Sequence, residues 1–304
     1  MLNHIAAQLA DYQVVLEPDR DEPEWWAGAP SVLRAPDGAF YLAARMRHAD
    51  SPKGQRGYEL RILRSEDGRR FEPIHRIPRE AAGVAGFERP ALVLDPITSR
   101  YKLYACAGLE RGWAILKFDD AARPEQFDAA TVRPVVVEDY PDDGFFHVTG
   151  HKDPVLHHDG QRWQMFTIGT DRIERIHHFV SEDGEAWERG PSAPLIENTG
   201  WHNCYTRPAC VLPMAVGHLF VYEGSHISWH DPVYNIATGL AYTPDLRTFY
   251  DLTPEAPLLK STTPGDYHTW RYSHWLPVAN RIFVYFEAAR PNNTNEIRLA
   301  VLDT

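Results

Sequence analysis

Apolar and polar residues alternate in short runs along most of the chain, and glycine, proline or aspartate breaks each run. Such runs read as short strands joined by tight turns. Five versions of one unit follow. The first runs Ala29-Pro30-Ser31-Val32-Leu33, turns at Pro36-Asp37-Gly38 and returns as Phe40-Tyr41-Leu42-Ala43-Ala44. The second pairs Arg89-Pro90-Ala91-Leu92-Val93-Leu94 with Tyr101-Lys102-Leu103-Tyr104-Ala105. The third pairs Lys152-Asp153-Pro154-Val155-Leu156 with Trp163-Gln164-Met165-Phe166-Thr167. The fourth pairs Arg207-Pro208-Ala209-Cys210-Val211-Leu212 with Leu219-Phe220-Val221-Tyr222. In the looser fifth, Ser273-His274-Trp275-Leu276-Pro277-Val278 precedes Ile282-Phe283-Val284-Tyr285-Phe286.

Each unit continues into a third strand: 59–63, 113–117, 176–180, 237–241 and 297–301. Three units then carry a matching turn ahead of an aromatic: Ser65-Glu66-Asp67-Gly68, Ser181-Glu182-Asp183-Gly184 and Thr243-Pro244-Asp245-Leu246. Prolines 30, 90, 154 and 208 recur roughly every 60 residues, a period that fits propeller blades with loops. The pattern predicts an all-β fold, a five-bladed β-propeller with four-stranded antiparallel blades around a central cavity. It forms one domain over residues 1–304, and the strand near Gln13-Val14-Val15-Leu16 closes the last blade. Helical periodicity is weak, and only a turn is expected at Glu80 to Ala85.

Composition narrows the partners. The net charge of −11, without a basic stripe, argues against nucleic acid. No apolar run reaches the ~20 residues that span a bilayer. The N-terminus lacks the basic start and apolar centre of a signal peptide, so a cytoplasmic location is expected. Cys106, Cys204 and Cys210 are too few and too scattered for a disulfide framework, and buried thiols are expected.

In a propeller, the starts of the first strands and the ends of the second strands meet at one mouth. The first set comprises Gly28-Ala29, Glu88-Arg89, His151-Lys152-Asp153, Tyr205-Thr206-Arg207 and Tyr272-Ser273-His274. The second comprises Arg45, Cys106, Ile168, Glu223 and Glu287. Aromatic-polar knots lead into three units: Glu24-Trp25-Trp26, Trp201-His202-Asn203 and Tyr267-His268-Thr269-Trp270. Asp153, Glu88 and Glu223 are the candidate catalytic carboxylates. Trp25, Trp26, Arg45, Arg89, His151, Trp201, His202, Arg207, Trp270, His274 and Glu287 are the candidate substrate contacts. Structural alternatives stand beside several of them: Asp153 capping a turn, Glu88 paired with Arg45 or Arg207, Glu287 and Glu223 balancing arginines, Trp25 and Trp26 packing. Arg45, Arg47, Arg56, Arg89 and Arg207 exceed what a neutral sugar demands. They are read first as partners of Glu88, Asp153 and Glu59, and second as a match for an acidic sugar.

This grammar resembles the five-bladed β-propeller glycoside hydrolase superfamily, which includes families 43, 32, 62, 68, 117 and 130. Lys152-Asp153-Pro154 is similar to the Arg-Asp-Pro or Asp-Pro signature of families 32 and 43, where the aspartate orients substrate, stabilises the transition state or tunes the acid. Ala29 stands where the first-blade aspartate is expected, and Thr206 where the fourth-blade glutamate is expected. The resemblance implies a glycosidase acting on a small glycoside or oligosaccharide. An inverting scheme is expected, in which Asp153 or Glu88 activates water and Glu223 or Glu88 protonates the leaving oxygen. No cofactor is expected; His147 and His151 come nearest to a metal-ligand pair. A metal- and histidine-dependent sugar-acid lyase or isomerase and a non-catalytic sugar-binding propeller are the alternatives.

Overall fold

The computed structural model describes residues 2–303 except 53, 111, 139–149, 172, 191–193, 231–234 and 261–268. A helix α1 (Leu2–Leu9) and a strand β1 (Tyr12–Leu16) precede the repeats. Unit one holds β2 (Trp26–Arg34), β3 (Phe40–Arg47), β4 (Gly57–Ser65) and β5 (Glu72–Pro78). Unit two holds β6 (Ala91–Leu94), β7 (Tyr101–Gly108), β8 (Trp113–Lys117) and β9 (Arg133–Val137). Unit three holds β10 (His151–His158), β11 (Trp163–Asp171), β12 (Ile173–Ser181) and β13 (Glu188–Arg189). Unit four holds β14 (Tyr205–Pro213), β15 (His218–Ser225), β16 (Ala237–Thr243) and β17 (Tyr250–Asp251). Unit five holds β18 (Trp270–Val278), β19 (Arg281–Ala289) and β20 (Asn295–Asp303), and β1 pairs with β20 as its fourth strand. Pairing within every unit is antiparallel and sequential. Because β1 and β20 come from opposite ends of the chain, their pairing ties the two ends into one sheet.

The first strands of successive units touch around a closed circuit, β2 to β6 to β10 to β14 to β18 and back to β2. Neighbouring units are also stitched at one end, where the start of a third strand meets the approach to the next first strand. Trp113 bridges Gly150, Glu174 pairs with Tyr205, Ile236 bridges Thr269 and Asn295 pairs with Trp26, all in parallel. Between the units lie apolar layers, such as Leu60 and Ile62 against Leu103 and Phe118. Burying these faces stabilises the sheets at about 25 cal/mol per Å² of apolar area.

The matching turns share one hydrogen-bond scheme. The Ser65 hydroxyl accepts from Gly68 N–H at 2.9 Å, Ser181 from Gly184 at 2.9 Å and Thr243 from Leu246 at 2.8 Å. Asp67, Asp183 and Asp245 each accept two backbone N–H groups further on. Short polar side chains that capture backbone donors in this way reverse the chain without a helix. Two turns are pinned from a neighbouring unit, where Tyr285 donates to Gly68 O at 2.7 Å and Tyr104 to Gly184 O at 2.6 Å.

One element departs from the sequence reading. α1 is a true helix, with Ile5, Ala6 and Leu9 packed on the apolar layer that holds Leu302 and Trp275. Its single apolar stripe spans too few residues for periodicity to stand out, and tertiary packing supplies what an isolated short helix lacks. The stretch Glu80 to Ala85 is a turn, as expected. Cys106, Cys204 and Cys210 are buried free thiols. Among the described residues no helix is long and apolar enough to cross a membrane.

Candidate active site

A single extra residue interrupts each first strand near its start. The register slips between Gly28 and Ser31, Lys152 and Val155, Pro208 and Cys210, and Arg271 and His274. In unit two the same slip falls between the bridge at Phe87 and the ladder at Ala91. Such bulges bend a strand and re-aim a side chain. Prolines 30, 90, 154 and 208 sit in or beside them, where the ladder does not call on the missing N–H. Unit five has Ser273 at the corresponding place, and its N–H donates to Glu223 at 3.3 Å. Pro277, which the sequence suggested as the counterpart, lies near the other end of β18.

Three bulge residues adopt left-handed backbone: Ala29 (φ 54°), Asp153 (φ 57°) and Tyr272 (φ 53°). That conformation costs a residue other than glycine roughly 1–2 kcal/mol. It turns Asp153 and Tyr272 toward the axis, where they meet. Tyr272 Oη donates to Asp153 Oδ2 at 3.1 Å, while Arg89 N–H donates to Oδ1 at 3.4 Å. Cys106 Sγ lies 3.6 Å from Oδ1 and accepts the Asp153 N–H at 3.1 Å. The carboxylate is thus clamped on both oxygens, with 2% of the residue exposed.

Above it opens a cavity of about 220 Å³, lined by Arg45, Arg47, Gly54, Glu88, Trp113, Lys152, Asp153, Glu174, Tyr205, Arg207, Arg271 and Tyr272. On one side, Arg45 binds Glu88 through Nη1 and Glu287 through Nη2, the latter at 3.2 Å. Glu287 also accepts from Arg271 at 2.7 and 3.0 Å, Asn295 at 2.6 Å and Ala29 N–H at 2.9 Å. Burial works against its charge, but Arg271 and Arg45 outweigh that and hold it below the usual range. A Cβ on Gly28 would lie 1.8 Å from Glu287 Oε2, so only glycine admits this carboxylate. On the other side, Lys152 and Arg207 share Glu174. Burial pushes the Glu174 carboxyl up, yet the two cations bring it down to about 2. The guanidiniums of Arg271, Arg89 and Arg45 stand 4.7, 5.4 and 5.8 Å from the Tyr272 ring centroid.

The structure gathers Arg45, Glu88, Asp153 and Arg207 around this cavity and puts Glu287 directly behind it. Glu88 keeps 14% of its side chain exposed and pairs with Arg45. Glu223 does not line the cavity. It is fully buried opposite Arg207, with Oε2 unpaired among the described residues. Burial raises its carboxyl to about 7, against the pull of Arg89, Arg207 and Arg271. Arg89 is a plug beneath, its guanidinium donating to Pro208 O at 2.9 Å and Ala209 O at 2.6 Å. It faces a second cavity of about 380 Å³ at the far end of the first strands, which His274 also lines. Burial lowers His274 to about 3.

The remaining expected contacts sit elsewhere. Trp26 is fully buried under Arg47 and Arg271, and its Nε1 donates to Asn293 O at 3.1 Å. Trp25 packs with Arg20, His48 and Tyr58 on a separate recess. Trp201 donates to Thr253 O at 2.7 Å, His202 meets Asp251 at 3.2 Å and Trp270 stacks on Phe286. His151 is buried between Glu138 and Thr167. Trp26, His151 and Trp270 open their strands ahead of the bulge, and Trp201 and His202 lie in a 3-10 turn before β14. His147, Tyr267 and His268 lie outside the described residues. Among the described residues no group of three or more His, Cys, Asp or Glu could hold a metal ion.

Glu174, Trp113 and Arg271 complete the cavity without having been anticipated. The signal for the first two was present. A third strand runs antiparallel to the second and therefore begins at the same mouth, where Trp113 opens β8 and Glu174 lies next to the start of β12.

No family model matches the chain, and no curated protein matches it. Solved structures do. The BT0996 complex with RGII is 14% identical with a TM-score of 0.76, over 98% of this protein and 95% of that one. The β-1,2-mannobiose phosphorylase of Listeria innocua, with bound β-1,2-mannobiose, is 12% identical with a TM-score of 0.67, over 95% and 94%. The α-L-arabinofuranosidase of Lactobacillus brevis is 14% identical with a TM-score of 0.64, over 94% and 92%. The structural neighbours are glycoside hydrolases of the five-bladed β-propeller type, and the likeness is one of fold.

Proposed function

We propose that this chain is a five-bladed β-propeller glycosidase, one domain over residues 1–304, that cleaves a small glycoside or oligosaccharide in the Arg45–Glu88–Asp153–Arg207 cavity. The observation that carries this reading is the clamped Asp153: a strained backbone, two oxygens held in place, and a second carboxylate, Glu88, open to the same cavity. Left-handed strain at a residue other than glycine concentrates where function requires it.

Glycoside hydrolysis passes through a transition state with positive charge near the anomeric carbon. Asp153, fixed and nearly excluded from water, supplies preorganised negative charge for that centre. Glu88 reaches into the cavity, gives a proton to the leaving oxygen and takes one back from the attacking water. Glu223, raised to about 7, holds a proton near neutrality behind Arg207, away from the cavity, and takes no part in the proton transfer. Trp113 and Tyr205 provide half-buried aromatic walls for a sugar ring.

A screen of nitrophenyl glycosides and oligosaccharides, with and without inorganic phosphate, tests the reading. Release from at least one substrate is expected, falling at least ~100-fold in Glu88→Gln. Full turnover in Glu88→Gln and Asp153→Asn would remove the reading. Following the product anomer by proton NMR separates inversion from retention.

A further inference from the structure

The whole chain carries a net charge of −11, yet five cationic side chains and only three carboxylates line its candidate active cavity. The excess is concentrated at Glu174, one carboxylate between two cations. Lys152 Nζ lies 3.0 Å from Oε1, and Arg207 bonds Oε2 through Nε. Arg207 keeps only 7% of its side chain exposed. Its Nη1 and Nη2 nevertheless make no hydrogen bond to protein among the described residues, and neither is sealed from solvent. Lys152, with 21% of its side chain exposed, has ammonium donors to spare. Glu174 thus acts as an anchor that orients two cations and leaves their outer faces toward the cavity. The Trp113 ring lies 5.7 Å from the ammonium, and the Tyr205 ring 4.9 Å from the guanidinium.

A guanidinium edge with two parallel N–H donors matches the two oxygens of a carboxylate, and a nearby ammonium adds charge without constraining geometry. The flanking rings match the apolar face of a pyranose. We propose that the cavity binds a uronic acid residue, whose carboxylate is held by the Nη1/Nη2 edge of Arg207 and by Lys152. The inference rests on the glycosidase reading for the location of the site and specifies the substrate class.

The test is direct binding, by calorimetry, of glucuronate and galacturonate against glucose, galactose and inorganic phosphate, at low and high salt. A uronate is expected to bind at least ~10-fold more tightly than its neutral counterpart and to weaken with salt. Lys152→Met and Arg207→Gln should each weaken uronate roughly 10- to 100-fold and weaken neutral sugars by clearly less. If Arg207→Gln fails to fold, the more exposed Lys152→Met alone decides. Equal binding of uronate and neutral sugar, or phosphate binding as tightly as uronate, overturns the proposal. Hydrolysis of neutral glycosides without uronate preference sinks this inference and leaves the glycosidase reading standing. Uronate binding without hydrolysis of any glycoside does the reverse.

Discussion

Tyr272 Oη donates a hydrogen bond of 3.1 Å to Asp153 Oδ2, and both residues occupy left-handed bulges, at φ 53° and 57°. The same backbone device in two units brings together side chains from distant parts of the chain. Tyr272→Phe removes the donor without changing shape. Turnover should fall about tenfold and stability by about 1–3 kcal/mol, because Oδ2 is left without its donor, whereas Asp153→Asn should cost at least ~100-fold in turnover. Steady-state kinetics on a substrate from the glycoside screen measures both. A Tyr272→Phe enzyme as fast as wild type would show that the clamp has no catalytic consequence.

Gly28 and Ala29 make opposite predictions at adjacent positions. Gly28→Ala drives a methyl into Glu287, on which Arg45 and Arg271 depend. Breaking such a buried ionic network costs about 3–5 kcal/mol. Ala29→Gly relieves left-handed strain and should raise stability by up to about 1 kcal/mol. Chemical denaturation of the two variants gives the signs.

Glu223 sets a slope on the alkaline side. Its folded-state value of about 7 lies above the ordinary 4.5, so the folded protein holds this proton more tightly than the unfolded chain does. Its contribution is complete below about pH 4.5 and is lost as pH rises through 7, on the order of 3 kcal/mol in all. Relative to wild type, Glu223→Gln should therefore gain stability as pH rises from 5 to 8. An unchanged slope in the variant would contradict the assignment.

Histidines act in the other direction. Burial lowers His157, His177 and His178 to about 4 and His274 to about 3. Their folded values lie below the ordinary 6.5, so their contribution is full above that pH and is lost as pH falls toward 4 and 3. Glu174, at about 2, adds a loss below the ordinary carboxylate range. Unfolding followed by tryptophan fluorescence should show destabilisation beginning below about pH 6. His178→Gln, which leaves the partner Gln164 in place, should reduce it.

The repeat could be read directly from the chain because its causes are local. Strand alternation, the acid-rich turns after Ser65 and Ser181, and the prolines near the start of four first strands act over a few residues, and all reappear in the pairings. The closing role of Val14 and Val15 followed from the same count of strands. The inward-facing set followed only in part. Strand ends led to Arg45, Glu88, Asp153 and Arg207, which line the cavity. Trp26, His151, Trp201, His202 and Trp270 lie equally near strand starts but are buried in packing. On β10, what separates Asp153 from His151, two residues before it, is a one-residue slip, which reverses the face a side chain takes. That slip depends on the register with a neighbouring strand, a relationship no single run of residues encodes. The Glu174 anchor belongs to the same class, since one carboxylate serves Lys152 of its own unit and Arg207 of the next. The chain alone therefore determined the units and their order. Tertiary structure decided which charges meet, because ion pairing is set by distance in space while the pattern of a strand is set by distance along the backbone.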